Sequence, residues 1–275
     1  MELVKTNCGA VRGVLKDGYT VFKGIPYAKP PVGVLRWRPP ERCESWEGIY
    51  EANRFPDRGW QESETAENPP DWKVRLNREY YSDPSYTPPM SEDILYLNIW
   101  TPAEESGERL PVAFWIHGGG FGSGWSSEME FDGAGYCRRG VILVTIEYRL
   151  GVFGNLVHDW LDAESPRGVS GNYGILDQIA ALEWVHENIA AFGGDPENIT
   201  VFGQSAGAMS CQLLVSTDLT GSLIRRAIFQ SGGAHHNVLL DGETRSYALE
   251  KGREYVALTG AASLEALRAI PGDEL

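Results

Sequence analysis

The chain has 275 residues, 42% of them hydrophobic and 23% charged, with 24 Lys plus Arg against 38 Asp plus Glu and a formal net charge of −14. That acidity excludes the basic face on which nucleic-acid and anionic-membrane partners depend, and the hydrophobic share excludes a disordered chain. A chain of this length buries roughly 75% of its unfolded surface, enough for one large domain or two small ones.

The elements can be taken in chain order. Residues 1–46 are rich in Gly, Pro and Arg and are expected to form a small antiparallel edge. The first thirteen residues lack a secretory layout, and no stretch approaches the ~20 apolar residues of a membrane span. A cytoplasmic location without membrane contact is therefore the expectation. Cys8, Cys43, Cys137 and Cys211 show no metal spacing and read as buried or idle thiols. Residues 56–90 are polar, with six prolines and the aromatics Trp60, Trp72, Tyr80, Tyr81 and Tyr86. So many aromatics need something to pack on, so this segment reads as a surface loop at the mouth of a site.

From residue 91 onward, short apolar runs alternate with helical patterns. Residues 95–100, 112–116, 141–146, 199–202 and 227–229 are bounded by turn residues, as strands buried on both faces are. Between Gly171 and Gly193, the residues Ile175, Ile179, Leu182, Val185, Ile189 and Phe192 advance by threes and fours along one helix face. Gly193-Gly194 and Pro196 end that helix. Strand, helix and strand make a βαβ unit, so the class is α/β with a mostly parallel central sheet and flanking helices.

Two glycine motifs carry chemistry. Gly203-Gln204-Ser205-Ala206-Gly207 follows the run 199–202 and precedes the helix-compatible run 208–215. This is the nucleophile elbow, a turn so tight that glycines flank the serine at two residues on either side. His117-Gly118-Gly119-Gly120-Phe121-Gly122 follows the run 112–116. Consecutive glycines let backbone N–H groups converge on a point, as an oxyanion hole requires, and the N–H of Ala206 would complete the set. Ser123 and Ser127 stand where a dinucleotide-binding loop needs glycine, and no Gly-Lys-Ser/Thr follows, which disfavours a phosphate-binding reading.

Further blocks surround these motifs: Gly24-Ile25-Pro26-Tyr27-Ala28, Ser91-Glu92-Asp93-Ile94-Leu95-Tyr96-Leu97-Asn98 and Tyr148-Arg149-Leu150-Gly151. Gly171-Asn172-Tyr173-Gly174-Ile175-Leu176-Asp177-Gln178, Phe192-Gly193-Gly194-Asp195-Pro196 and Gln230-Ser231-Gly232 follow in order. With them the chain resembles the type-B carboxylesterases, which include cholinesterases and bacterial para-nitrobenzyl esterases. The resemblance implies an α/β-hydrolase fold and hydrolysis of small or aromatic esters through an acyl-enzyme on Ser205, with no metal or cofactor. It implies Gly119, Gly120 and Ala206 as oxyanion donors, with Gln204 and Ser231 just behind the nucleophile. It also implies the ion pairs Arg36–Glu92 and Arg149–Asp177. Three positions depart from the cholinesterase pattern. Ile94 replaces a disulfide cysteine, Gln204 replaces a glutamate, which disfavours choline esters, and His117 replaces a frequent tyrosine.

A serine needs a base, and the base needs a carboxylate, in the order Ser, then Asp or Glu, then His in this fold. Beyond Ser205 the only histidines are His235 and His236, and Asp218 is the only carboxylate between them and the serine. The resemblance places the acid and the histidine past residue 275. The expectation is therefore that residues 1–275 form the N-terminal part of one domain, with 1–46 as edge, 56–90 as loop and 91–275 as core. Such a chain is expected to be inactive alone and to associate with the remaining half or a partner chain. The alternatives are a non-catalytic cholinesterase-like binding protein, a truncated gene product, or an acyltransferase with the same parts.

Overall fold

The structure, a computed structural model, describes residues 1–61, 86–233 and 244–275. Its strands are β1 (Leu3–Lys5), β2 (Ala10–Arg12), β3 (Val14–Lys16), β4 (Tyr19–Pro26), β5 (Ile49–Glu51), β6 (Arg58–Gly59), β7 (Met90–Ser91), β8 (Tyr96–Thr101), β9 (Leu110–Ile116), β10 (Ile142–Ile146), β11 (Gly194–Gln204) and β12 (Arg226–Gln230). Seven of them form the main sheet in the order β12-β11-β9-β10-β8-β4-β3. The apolar runs 95–100, 112–116, 141–146 and 199–202 supply its centre, where Leu97, Ile99, Phe114, Ile116, Ile142, Val144, Ile199 and Val201 are buried.

The sheet is mixed. β9 runs parallel to β10 and β11, and β11 parallel to β12. β8 runs antiparallel to both β10 and β4, and β3 antiparallel to β4. The expected parallel arrangement thus holds for the four strands β9–β12, while the other half of the sheet is antiparallel. Burial on both faces erases the alternation that would mark an antiparallel strand, so run 95–100 looks the same in either setting. At the N-terminus, β1, β2 and β5 make a separate small sheet, β1 antiparallel and β5 parallel to β2.

The long helix spans Tyr173–Asn188 and continues as a 3₁₀ turn, Ile189–Phe192, closed by Gly193 in the left-handed conformation. Leu182, Val185, Ile189 and Phe192 are buried as the periodicity predicts, but Ile175 and Ile179 are only half-buried. In the first turns the inward positions belong to Gly174, Asp177 and Gln178. The reason is an ion pair. Arg149 donates from Nε to Asp177 Oδ2 at 2.8 Å and from Nη2 to Oδ1 at 2.6 Å, with both residues buried. The Arg149 backbone N–H also donates to Oδ2, at 3.0 Å. A second pair, Arg36–Glu92, is bidentate and nearly as buried, and Arg36 Nη1 also donates to the carbonyl of Ile270 at 2.7 Å.

The cysteines divide. Cys137 and Cys211 are free and buried, and burial raises both thiols to about 12. Cys8 and Cys43 form a disulfide, which corrects the idle-thiol expectation for that pair. Their meeting depends on chain packing that spacing does not reveal. The turn after β1 lies against the segment leading to β5, where the Trp46 N–H donates to the Cys8 carbonyl at 2.9 Å and Trp46 Nε1 to the Ala10 carbonyl at 2.9 Å. Among the described residues no helix is long and apolar enough to cross a membrane.

Two stability changes are expected. Asp177→Asn leaves the Arg149 charge buried and incompletely paired, and should lower the unfolding free energy by about 3–5 kcal/mol in urea titration. Cys8→Ser should cost roughly 2–4 kcal/mol, and adding reductant should weaken the wild type but not this variant.

Candidate active site

β11 ends at Gln204, and the helix Ala206–Ser216 begins two residues later, so Ser205 alone makes the turn. Its backbone sits at φ 56°, ψ −121°, a region that L side chains rarely occupy. Such a conformation costs about 1–3 kcal/mol and persists only where the surroundings enforce it. Here they do. The Ser205 N–H donates to the Gln230 carbonyl at the end of β12 at 2.9 Å, and the Ser205 carbonyl accepts from the N–H groups of Ala208 and Met209.

The flanking glycines make that turn possible. A Cβ on Gly207 would lie 2.1 Å from the Ile116 carbonyl oxygen, and one on Gly203 would lie 2.5 Å from Gly207 itself. Gly232 closes the other side, since a Cβ there would lie 2.4 Å from the Ser205 carbonyl oxygen. Ser231 precedes it with φ 51° and is exposed, as is Gln204.

The second glycine run leaves the end of β9 and passes directly beside the serine. A Cβ on Gly118 would lie 3.3 Å from Ser205 Cβ and 2.8 Å from the Gln204 carbonyl oxygen. Gly119 and Gly120 then take φ of 104° and 63°. The Gly119 carbonyl gathers three donors: the N–H groups of Gly122 and Ser123 at 3.0 Å each and Ser123 Oγ at 3.1 Å. The N–H groups of Gly119 and Gly120 donate to no acceptor among the described residues. Ala206 is buried at the first position of its helix, where N–H groups have no internal acceptor and the dipole is positive.

A strained serine, a strand-to-helix turn and a neighbouring glycine loop, whose N–H groups at Gly119 and Gly120 have no acceptor among the described residues, stand together. Residues 1–275 match the model of the carboxylesterase family. The chain belongs to that family. It is 43% identical over 256 residues to fumonisin B1 esterase of Sphingopyxis macrogoltabida, covering 93% of this chain and 44% of that protein. It is 42% identical over 234 residues to para-nitrobenzyl esterase of Bacillus subtilis (strain 168), covering 85% of this chain and 44% of that protein. The crystal structure of a carboxylesterase of Geobacillus stearothermophilus superimposes with a TM-score of 0.83 at 41% identity, over 100% of this chain and 52% of that one. The fold is that of the α/β-hydrolases, and the chain spans about half the length of these carboxylesterases.

The three described histidines have other surroundings. His117 is fully buried, stacked on Tyr148 with ring centroids 4.4 Å apart, and its Nδ1 lies 2.8 Å from the Gly118 carbonyl. Burial lowers its pKa to about 4, so at neutral pH the ring is uncharged, Nδ1–H donates to Gly118, and Nε2 has no partner among the described residues. His158 Nδ1 accepts from the Trp160 N–H, and His186 faces Glu197 at 3.6 Å. His235 and His236 lie outside the described residues. Asp218 is exposed beyond the far end of the elbow helix, whose eleven residues span about 16 Å.

One buried carboxyl near this loop gave no sequence signal. Glu147, next after β10, is fully buried. Its Oε1 accepts from the Ser126 N–H at 2.7 Å, and Oε2 has no partner among the described residues. Desolvation raises its pKa to about 8, partly offset by the Ser126 bond. Below about pH 4.5 the group is neutral in both folded and unfolded chains. As pH rises toward 8 only the unfolded chain releases the proton, so stability is lost across that window. Glu147→Gln keeps an acceptor for Ser126 and removes the titration. The variant should therefore lose markedly less unfolding free energy than the wild type between pH 5 and pH 8.5 in paired urea titrations.

Proposed function

We propose that this chain carries the nucleophile and the oxyanion-binding donors of a serine carboxylesterase. The observation that supports this reading most is the backbone of Ser205, held at φ 56°, ψ −121° beside N–H groups that have no acceptor among the described residues. Strain of this kind clusters at functional sites, and on a serine beside backbone donors it favours the catalytic reading over a non-catalytic binding protein.

In the proposed reaction Ser205 Oγ attacks the ester carbonyl carbon while its proton passes to a histidine base. The carbonyl oxygen becomes an oxyanion, held by the N–H groups of Gly119, Gly120 and Ala206. Collapse expels the alcohol, which takes the proton, and leaves an acyl group on Ser205. Water, deprotonated by the same base, then attacks the acyl carbonyl and frees the acid and the serine. Gln204 and Ser231 back the nucleophile, and the neutral Gln204 amide suits small or aromatic neutral esters better than quaternary ammonium esters. We assign the acid and the histidine to polypeptide outside the 275 residues.

The sheet edge supports that assignment. Among the described residues β12 pairs with β11 alone, and Ile228 and Phe229 on it are 50% and 41% exposed. Leu213, Val215 and Leu219 on and after the elbow helix are exposed as well. An apolar edge of this kind is a seat for further strands and helices. The Cys8–Cys43 disulfide weighs against the cytoplasmic location expected from composition, because such bonds persist in oxidising compartments.

Hydrolysis of para-nitrophenyl acetate by the purified 275-residue chain is expected to stay within about 10³-fold of the rate in water. Supplying the rest of an esterase fold should give full turnover, which Ser205→Ala should reduce by about 10⁶-fold in kcat. An ordinary enzymatic rate from the chain alone would overturn the divided triad. Turnover that survives Ser205→Ala would overturn the nucleophile assignment.

A further inference from the structure

Gln61 lies far in sequence from the glycine loop, yet its side chain closes on it. Gln61 Oε1 accepts from the Gly124 N–H at 3.0 Å, and Nε2 donates to the Gly124 carbonyl at 3.2 Å and to the Gly59 carbonyl at 3.1 Å. An amide carries one acceptor and two donors, so a single side chain pairs with both backbone groups of Gly124 much as a neighbouring strand would. Gly124 cannot drift in the other direction. Its φ is +98°, and a Cβ there would lie 2.5 Å from His117 Nδ1 and 2.7 Å from the Gly118 carbonyl oxygen. The peptide is therefore clamped between Gln61 and the root of the loop.

What is clamped is the downstream end of the turn that carries the Gly119 and Gly120 N–H groups. Ser123, the residue before Gly124, makes two of the three hydrogen bonds to the Gly119 carbonyl. Fixing Gly124 fixes Ser123. Ser123 fixes the Gly119 carbonyl, and the peptide plane shared by that carbonyl and the Gly120 N–H is set with it. We propose that Gln61 is a positioning residue for the oxyanion-binding loop, its amide holding Gly124 so that the Gly119–Ser123 turn keeps its N–H groups aimed beside Ser205. This rests on the esterase reading of that loop. Gln61 makes no hydrogen bond to Ser205 among the described residues, and it reaches the loop through Gly124.

The test uses Gln61→Met, similar in shape but without the amide, and Gln61→Glu, which still accepts from the Gly124 N–H but cannot donate to its carbonyl. In the 275-residue chain, hydrogen exchange is read at the amides of Gly122 and Ser123, which bond to Gly119 and not to Gln61. Gln61→Met should speed both by about tenfold, while the urea midpoint and the protection of β9 and β11 stay unchanged. Gln61→Glu should fall between the two. Where the chain is supplied with the rest of an esterase fold, Gln61→Met should lower kcat toward para-nitrophenyl acetate and leave KM unchanged, since the oxyanion exists only past the ground state. Unchanged exchange at Gly122 and Ser123, or faster exchange that β9 and β11 share, would overturn the proposal. If turnover proves insensitive to Ser205→Ala, the esterase reading fails instead, and the exchange result still decides whether Gln61 holds the loop.

Discussion

The close approach of β9 to the elbow is the constraint on which the rest of the molecule depends. With 2.1 Å between the Ile116 carbonyl oxygen and any Cβ at position 207, the strand end and the helix start touch through backbone alone. That contact brings the loop after β9 and the turn after β11 to one place, because both strands are parallel neighbours ending at the same sheet edge. Strand pairing sets the coarse position of Ser205 and the glycine loop. The missing side chains at 118, 203, 207 and 232 set the fine position. Parallel strands order their C-terminal ends together, which is why chemistry in such sheets gathers there.

Behind the loop lies a chain of buried polar groups. Asn98 on β8 accepts from the Gly24 N–H at 2.9 Å and donates to Ser126 Oγ and Thr145 Oγ1, both at 3.0 Å. Ser126 in turn donates to Glu147, and the hydroxyl of Tyr148 donates to the His117 carbonyl at 2.9 Å. Each bond fixes a direction, and together they link the antiparallel half of the sheet to the segment following the glycine loop. Unsatisfied atoms remain at His117 Nε2 and Glu147 Oε2, so the network is tight but not complete among the described residues.

Local patterns in the sequence carried much of this. The elbow and the glycine run could be read because backbone geometry forces glycine at fixed offsets from the serine, and the C-terminal end of the long helix because Gly193 caps it. The strand runs were visible, but not their directions, since double burial removes the alternating pattern. The helix face departs from hydrophobic periodicity in its first turns because Asp177 turns inward to meet Arg149. Gln61 and Glu147 carried no signal at all. A polar residue in a polar segment, and a single acid after an apolar strand, gain their roles only from what tertiary packing places beside them. The Cys8–Cys43 bond escaped for the same reason.

That bond has a consequence in time as well as in space. Both sulfurs lie upstream of every strand from β8 onward and are synthesised before them. At about 5–20 residues per second, the ribosome needs further seconds to deliver β9 and β11. The ring from Cys8 to Cys43 can therefore close while the main sheet is still incomplete. It then offers a preformed N-terminal collar, against which Asn7 receives the end of the long helix through its bonds to Asn188 and Glu187.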